Sequence, residues 1–143
     1  MQLFARLLVP LDFSELSPAV LSMALRLLAP DGKAVLLHVV ETLPVVMEGT
    51  YGVYPHRRET EEIKRLSGEK LAQLVHENRD PRLVPLVREG KPASEIVAAS
   101  EELKADAIII GSHGRSRLEH LLVGSVTERV LRKARCHVFV VRS

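Results

Sequence analysis

Asp106-Ala-Ile-Ile-Ile110 runs directly into Gly111-Ser-His-Gly114. The chain continues Arg-Ser-Arg-Leu-Glu-His-Leu-Leu-Val to Gly124-Ser-Val-Thr-Glu128. Three consecutive isoleucines are β-branched and fit a strand buried on both faces. Gly111 stops that run sharply, and the pattern from Ser125 to Ala134 predicts a helix. The stretch therefore reads as strand, glycine-bearing loop and helix, which is the repeating unit of an α/β fold.

Working outward, the same alternation extends to both ends of the chain. Phe4 to Val9 predicts a first strand closed by Pro10. Val20, Met23, Ala24, Leu27 and Leu28 follow helical spacing within a helix over Ser14 to Ala29. Ser14 is a candidate cap there, and Pro18 suits the first turn. Pro30, Asp31 and Gly32 are expected to end this helix and turn the chain. Ala34 to Val40 predicts the second strand, and a loop of about 17 residues follows from Glu41 to Arg57, long enough to be either functional or mobile. A charged helix is expected from about Arg58 to Arg79, with Ile63, Leu66, Leu71, Leu74 and Val75 facing inward. Leu83 to Arg88 predicts a third strand, and its Pro85, which removes a ladder donor, assigns it to a sheet edge. Pro92 opens a third helix running to about Leu103, and Cys136 to Val141 predicts a fifth strand.

These elements predict a Rossmann-like α/β domain over residues 1–143. Its five-stranded parallel sheet has the order 3-2-1-4-5, with helices on both faces. The strand order reverses between strands 1 and 4, where such sheets bind ligands beyond the carboxyl ends of the strands. Asp12 and Gly111 lie just after the two strands that flank this crevice.

A chain of 143 residues fits one domain, since a domain takes roughly 100–200. With 46% apolar and 27% charged residues it can fill a core. No apolar run approaches the roughly 18 residues a membrane span needs. Arg6 and Asp12 interrupt any secretory pattern at the start, so a cytoplasmic location is expected. A single cysteine, Cys136, excludes an internal disulfide and any multi-cysteine metal site. The formal net charge is +2, from 20 basic and 18 acidic residues. Five scattered aromatics offer no base-stacking platform, so nucleic acid is not expected as a partner.

The chemistry concentrates in the opening stretch. Glycines at 111 and 114 permit positive φ and let backbone amides approach an anion closely. Gly124 and Ser125 lead into a helix whose free amides and positive dipole end favour phosphate. Arg115 sits inside the loop as a candidate charge partner. Ser125-Val-Thr-Glu128 also fits the capping box, so Ser125 is equally open to service as a helix cap. Neither standard phosphate motif, G-x-x-x-x-G-K-[ST] or G-x-G-x-x-G, is present.

Gly111-x2-Gly114-x9-Gly124-Ser125 resembles the G-2x-G-9x-G-[ST] nucleotide-binding signature of the universal stress protein family. The resemblance extends to Leu8-Val9-Pro10-Leu11-Asp12-Phe13-Ser14-Glu15, to Leu37-His38-Val39-Val40 and to Val138-Phe139-Val140-Val141, covering essentially the whole chain. It implies the adenine nucleotide alpha hydrolase-like version of the fold, in the ATP-binding branch, acting in stress response or signalling. It also implies ATP or another adenine nucleotide as ligand, accompanied by Mg or Mn. By this resemblance Gly111, Gly114, Gly124 and Ser125 hold phosphates and ribose. Asp12 lies near the ribose and the metal, and Val39 meets adenine through its backbone. Pro10, Leu11, His113, Arg115 and Val126 complete the implied binding set. Leu11 stands where many ATP-binding relatives carry Thr, which removes a hydroxyl but leaves a backbone contact available.

Other readings accompany this one. Asp12 also suits a cap for the helix near Ser14. His38 is expected to be packed within its strand. His113 is open to phosphate contact or to an ordinary turn position. His113 and His120 lie seven apart, which is not a helical metal pair. No nucleophile elbow or acid–base dyad is visible, so no catalytic residue is assigned and ATP hydrolysis is at most weak. In the last strand Cys136, Val138 and Val140 face one way, while His137, Phe139 and Val141 face the other. This apolar edge invites a second copy, and the resemblance likewise implies a homodimer through the C-terminal strand. A slow ATPase and a dimeric interaction module without nucleotide are the competing functions.

Overall fold

The computed structural model describes residues 3–41, 57–113 and 122–142. Leu7, Leu8 and Val9 are almost completely buried, as successive residues can be only where both faces of a strand are covered. They belong to β1 (Phe4–Pro10), the central strand, which is followed by α1 (Ser17–Leu27), β2 (Leu28–Glu41) and α2 (Arg57–Asn78). Next come β3 (Leu83–Gly90), α3 (Pro92–Glu102), β4 (Ala107–Gly111), α4 (Ser125–Lys133) and β5 (His137–Val141).

All strand pairs are parallel, and the order is β3-β2-β1-β4-β5, as the sequence pattern predicts. Leu7 stands between Ala34 of β2 and Ala107 of β4, so two small residues flank a large one at the sheet centre. Side-chain alternation then divides the core in two. Leu7, Val9, Leu36 and Ile109 pack with Val20, Leu21 and Ala24 of α1 and Leu71 of α2. Leu8, Leu37, Ile108 and Ile110 pack with Ala93, Ile96 and Ala99 of α3 and Val130 of α4. Among the described residues the layers are thus two helices, a sheet and two helices. β3, with Pro85, is one edge as expected, and β5 is the other.

Three local expectations are corrected. Helix α1 begins at Ser17 rather than Ser14, because the Asp12 carboxylate accepts the Ser14 amide at 2.9 Å and holds a separate turn there. Pro18 does occupy its first turn. Pro30, Asp31 and Gly32 do not separate helix from strand. They lie within β2, where the register jumps from Phe4↔Leu28 to Arg6↔Lys33. A Cβ on Gly32 would stand 2.9 Å from the Ala5 carbonyl oxygen, so this irregularity requires a residue without one. Finally, Ile63 and Leu66 of α2 do not face the core. They are 50% and 44% exposed, because this end of the helix lies against the cleft described below.

Arg82 ties the irregularity down. Its guanidinium donates to the Ala29 carbonyl at 3.1 Å and pairs with Asp80 at 2.6 Å. Those hydrogen bonds hold the Asp80 carboxyl well below its usual range, at about 2. Among the described residues no helix is long and apolar enough to cross a membrane. The loop expected from Glu41 to Arg57 lies, beyond its two ends, outside the described residues.

Candidate functional site

A cleft of about 640 Å³ opens where β1 and β4 diverge, at the topological switch point. Pro10, Leu11, Asp12, Val39, Gly111, His113, Gly124, Ser125 and Val126, all singled out from the sequence, line it together. Gly114 and Arg115, also singled out, lie outside the described residues.

The β1 side is built on backbone pairing. The Leu11 amide donates to the Leu37 carbonyl at 2.8 Å, and the Leu11 carbonyl accepts from His38 Nδ1 at 2.7 Å. His38 is therefore more than a packed strand residue. It is half-buried, lines the cleft and locks the end of β1 to β2. Asp12 follows, one carboxylate oxygen accepting the Ser14 amide. Asp12 therefore does not cap α1, whose cap residue is Leu16 with no side-chain hydrogen bond; its carboxylate holds the separate Ser14 turn and borders the cleft.

Between them Phe13 adopts φ +61°, a conformation costing a bulky residue about 1–3 kcal/mol. Its ring lies 4.5 Å from the His38 ring at a 32° interplanar angle. Lys70 Nζ of α2 sits 5.0 Å from the centroid of the Phe13 ring. Phe13 and Lys70 were not singled out in the sequence, because nothing local distinguishes this phenylalanine or a lysine on a charged helix.

On the opposite side, Ser112 is nearly fully buried and fastens the start of the glycine-bearing segment. Its amide donates to the Val141 carbonyl at 2.8 Å, and its carbonyl accepts the Gly124 amide at 2.6 Å. The Ser112 hydroxyl lies 3.1 Å from His113 Nδ1. Two amides of the segment are thus committed internally and cannot meet an anion. Among the described residues the first amides of α4 also lie here. Gly124 is the cap residue and its carbonyl takes the first helical bond, from Glu128. Ser125 is accordingly the first helical residue rather than the cap, which corrects the capping-box reading. Among the described residues no acceptor engages the amides of Ser125, Val126 and Thr127, the ordinary state of a helix start. The Thr127 hydroxyl donates to the Gly111 carbonyl at 2.7 Å, pinning this helix start beside the end of β4.

Gly111 itself is not left-handed, so the positive φ that a glycine permits is not used there. A Cβ there would make only ordinary contacts, 3.4 Å from Leu16 Cδ1 and 3.5 Å from Val20 Cγ2. Gly124 is extended as well, at φ −69° and ψ 163°. Among the described residues no group of three His, Cys, Asp or Glu side chains could hold a metal ion unaided.

A parallel sheet with helices on both faces, and with a helix start and a strand-end carboxylate lining one cleft at the switch point, is a doubly wound α/β architecture, the class that places its ligand sites there. The universal stress protein family model matches residues 4–142, and the chain belongs to that family. Universal stress protein MJ0531 of Methanocaldococcus jannaschii is 31% identical over 144 residues, 98% of this chain and 83% of that one. The solved structure of the protein MJ0577, a universal stress protein of the same organism, aligns with a TM-score of 0.80 at 29% identity, over 99% of this chain and 97% of that one. Two more distant structures share the fold. One is a universal stress protein in complex with cAMP, with a TM-score of 0.68, 19% identity and coverage of 96% and 97%. The other is a family member from Arabidopsis thaliana with AMP bound, with a TM-score of 0.65, 17% identity and coverage of 96% and 91%.

Proposed function

We propose that the cleft binds an adenine nucleotide, ATP foremost, and that the protein is a cytoplasmic stress-response module whose output depends on that nucleotide. The observation that carries this reading is the start of α4. Ser125, Val126 and Thr127, whose amides meet no acceptor among the described residues, line the same cleft as Asp12 and Val39. Oriented amides at a helix start favour phosphate. In this reading Gly111, His113, Gly114, Arg115, Gly124, Ser125 and Val126 surround the phosphates and ribose. Pro10, Leu11 and Val39 flank the base, and Asp12 faces the ribose and the metal. The fold relatives with AMP and cAMP bound support the adenine class.

One carboxylate without an all-protein cage fits Mg or Mn arriving with the nucleotide. Such an ion takes one or two protein oxygens and completes its shell with phosphates and water. Asp12 would hold it, and the ion would neutralise phosphate charge. Among the described residues no strand pairs with the outer edge of β5, and Phe139 is 37% exposed, which supports a homodimer formed along that strand.

Thermal melting with and without millimolar ATP and magnesium tests the reading. A ligand selective for the folded state raises the melting temperature, by about 2.7 kcal/mol of stabilisation at a hundredfold excess over Kd. An unchanged melting temperature overturns it in favour of an interaction module without nucleotide. Phosphate release, with Asp12→Ala as control, separates binding from slow hydrolysis, and sedimentation reads the dimer.

A further inference from the structure

The cleft has the start of α4 on one wall and one full positive charge, on Lys70 of α2, on the other. Of the described residues lining it, Lys70 is the only lysine or arginine. The other described cations of its helix are committed. Lys64 pairs with Glu61 and Glu89, and Arg65 with Glu62 and Glu69. Lys70 forms no ion pair among the described residues. Its neighbours one helical turn away are Leu66, Ser67, Gln73 and Leu74, none of them acidic. Its ammonium rests instead over the Phe13 ring, 5.0 Å from the centroid.

A cation over an aromatic face is held weakly at an exposed site, so it leaves readily for an anion. A helix start presents only about half a unit charge. Magnesium and phosphate in the cleft would therefore still carry negative charge that the amides do not balance. Phe13, in its unusual backbone conformation and with its ring against that of His38, holds the Lys70 ammonium beside the cleft that both residues line.

The geometry points to Lys70 as the residue that makes the cleft select polyphosphorylated ligands, by moving from the Phe13 ring to the phosphates. The inference rests on the nucleotide reading above and adds a specificity determinant on α2, outside the glycine-bearing segment. Lysine suits the task, being a compact point charge on a flexible stem.

Titration calorimetry on wild type, Lys70→Met and Lys70→Arg tests it, with Mg-ATP, adenosine and inorganic tripolyphosphate as probes. Lys70→Met is expected to weaken Mg-ATP and tripolyphosphate about tenfold and to leave adenosine unchanged. Lys70→Arg should restore most of the loss, and ATP affinity should become less salt-sensitive in Lys70→Met. Equal weakening of ATP and adenosine, or no weakening of ATP, overturns the inference while the nucleotide reading stands. If wild type binds tripolyphosphate through Lys70 but no adenine compound, the nucleotide reading fails and the anion-selecting lysine remains. If wild type binds none of the probes, both fall.

Discussion

Leu11 is clamped to β2 from both sides: its amide reaches Leu37, and its carbonyl takes the Nδ1 proton of His38 at 2.7 Å. The second bond sets the His38 tautomer, since only a protonated ring nitrogen can donate to a carbonyl. It also determines where the strand ends and the Asp12 turn begins.

His38→Leu is expected to keep the volume of the side chain and lose this donor. A part-buried carbonyl left without its partner costs about 1–2 kcal/mol. Urea unfolding should show a lower midpoint with an unchanged slope. Nucleotide affinity should fall with it, because the Asp12 turn hangs on the same anchor. An unchanged midpoint would show that solvent replaces the imidazole at no cost.

Ser125→Pro isolates the contribution of one amide. Proline is well tolerated at the first helical position, and Gly124 before it already has φ −69° and ψ 163°, the extended conformation a following proline demands. The variant should therefore melt near wild type. Removing one amide from a bound phosphate costs about 1.5 kcal/mol, or about tenfold in affinity for ATP. Ser125→Ala controls for the hydroxyl. Affinity equal to that of the alanine variant would mean that this amide does not meet the ligand.

Asp80 supplies a pH dependence whose direction follows from its lowered pKa. Hydrogen bonds from Arg82 bring its carboxyl from 3.8 to about 2 in the folded protein. A group depressed on folding stabilises above its unfolded pKa and loses that contribution as pH falls through its folded one. The contribution is thus full above about pH 4 and gone below about pH 2. Asp80→Asn should lower the melting temperature by a few degrees near neutral pH, at about 3 °C per kcal/mol for a chain of this size. The gap from wild type should close as the solution is acidified across that window. A gap of constant size would assign the loss to packing rather than charge.

Much of this architecture is legible in the chain. Ile108, Ile109 and Ile110 before Gly111 mark a buried strand, and Pro85 marks an edge, because each follows from steric or hydrogen-bonding rules that act locally. The site was legible to the extent that it sits at strand ends and at a helix start. What the pattern misplaced depends on neighbours distant in sequence. Ile63 and Leu66 continue an apolar stripe, yet periodicity does not say whether a stripe meets a core or a cleft. Ser125 fits a capping box, but Ser112 captures the Gly124 amide from twelve residues away and moves the cap back by one. Phe13 carries no sign of positive φ, since that conformation is imposed by Asp12 on one side and the His38 ring on the other.

The Ser112 amide answers to the carbonyl of Val141, on the edge strand β5. The wall that carries α4 is therefore moored to the rim of the sheet, and whatever docks along that rim tugs on the cleft as well.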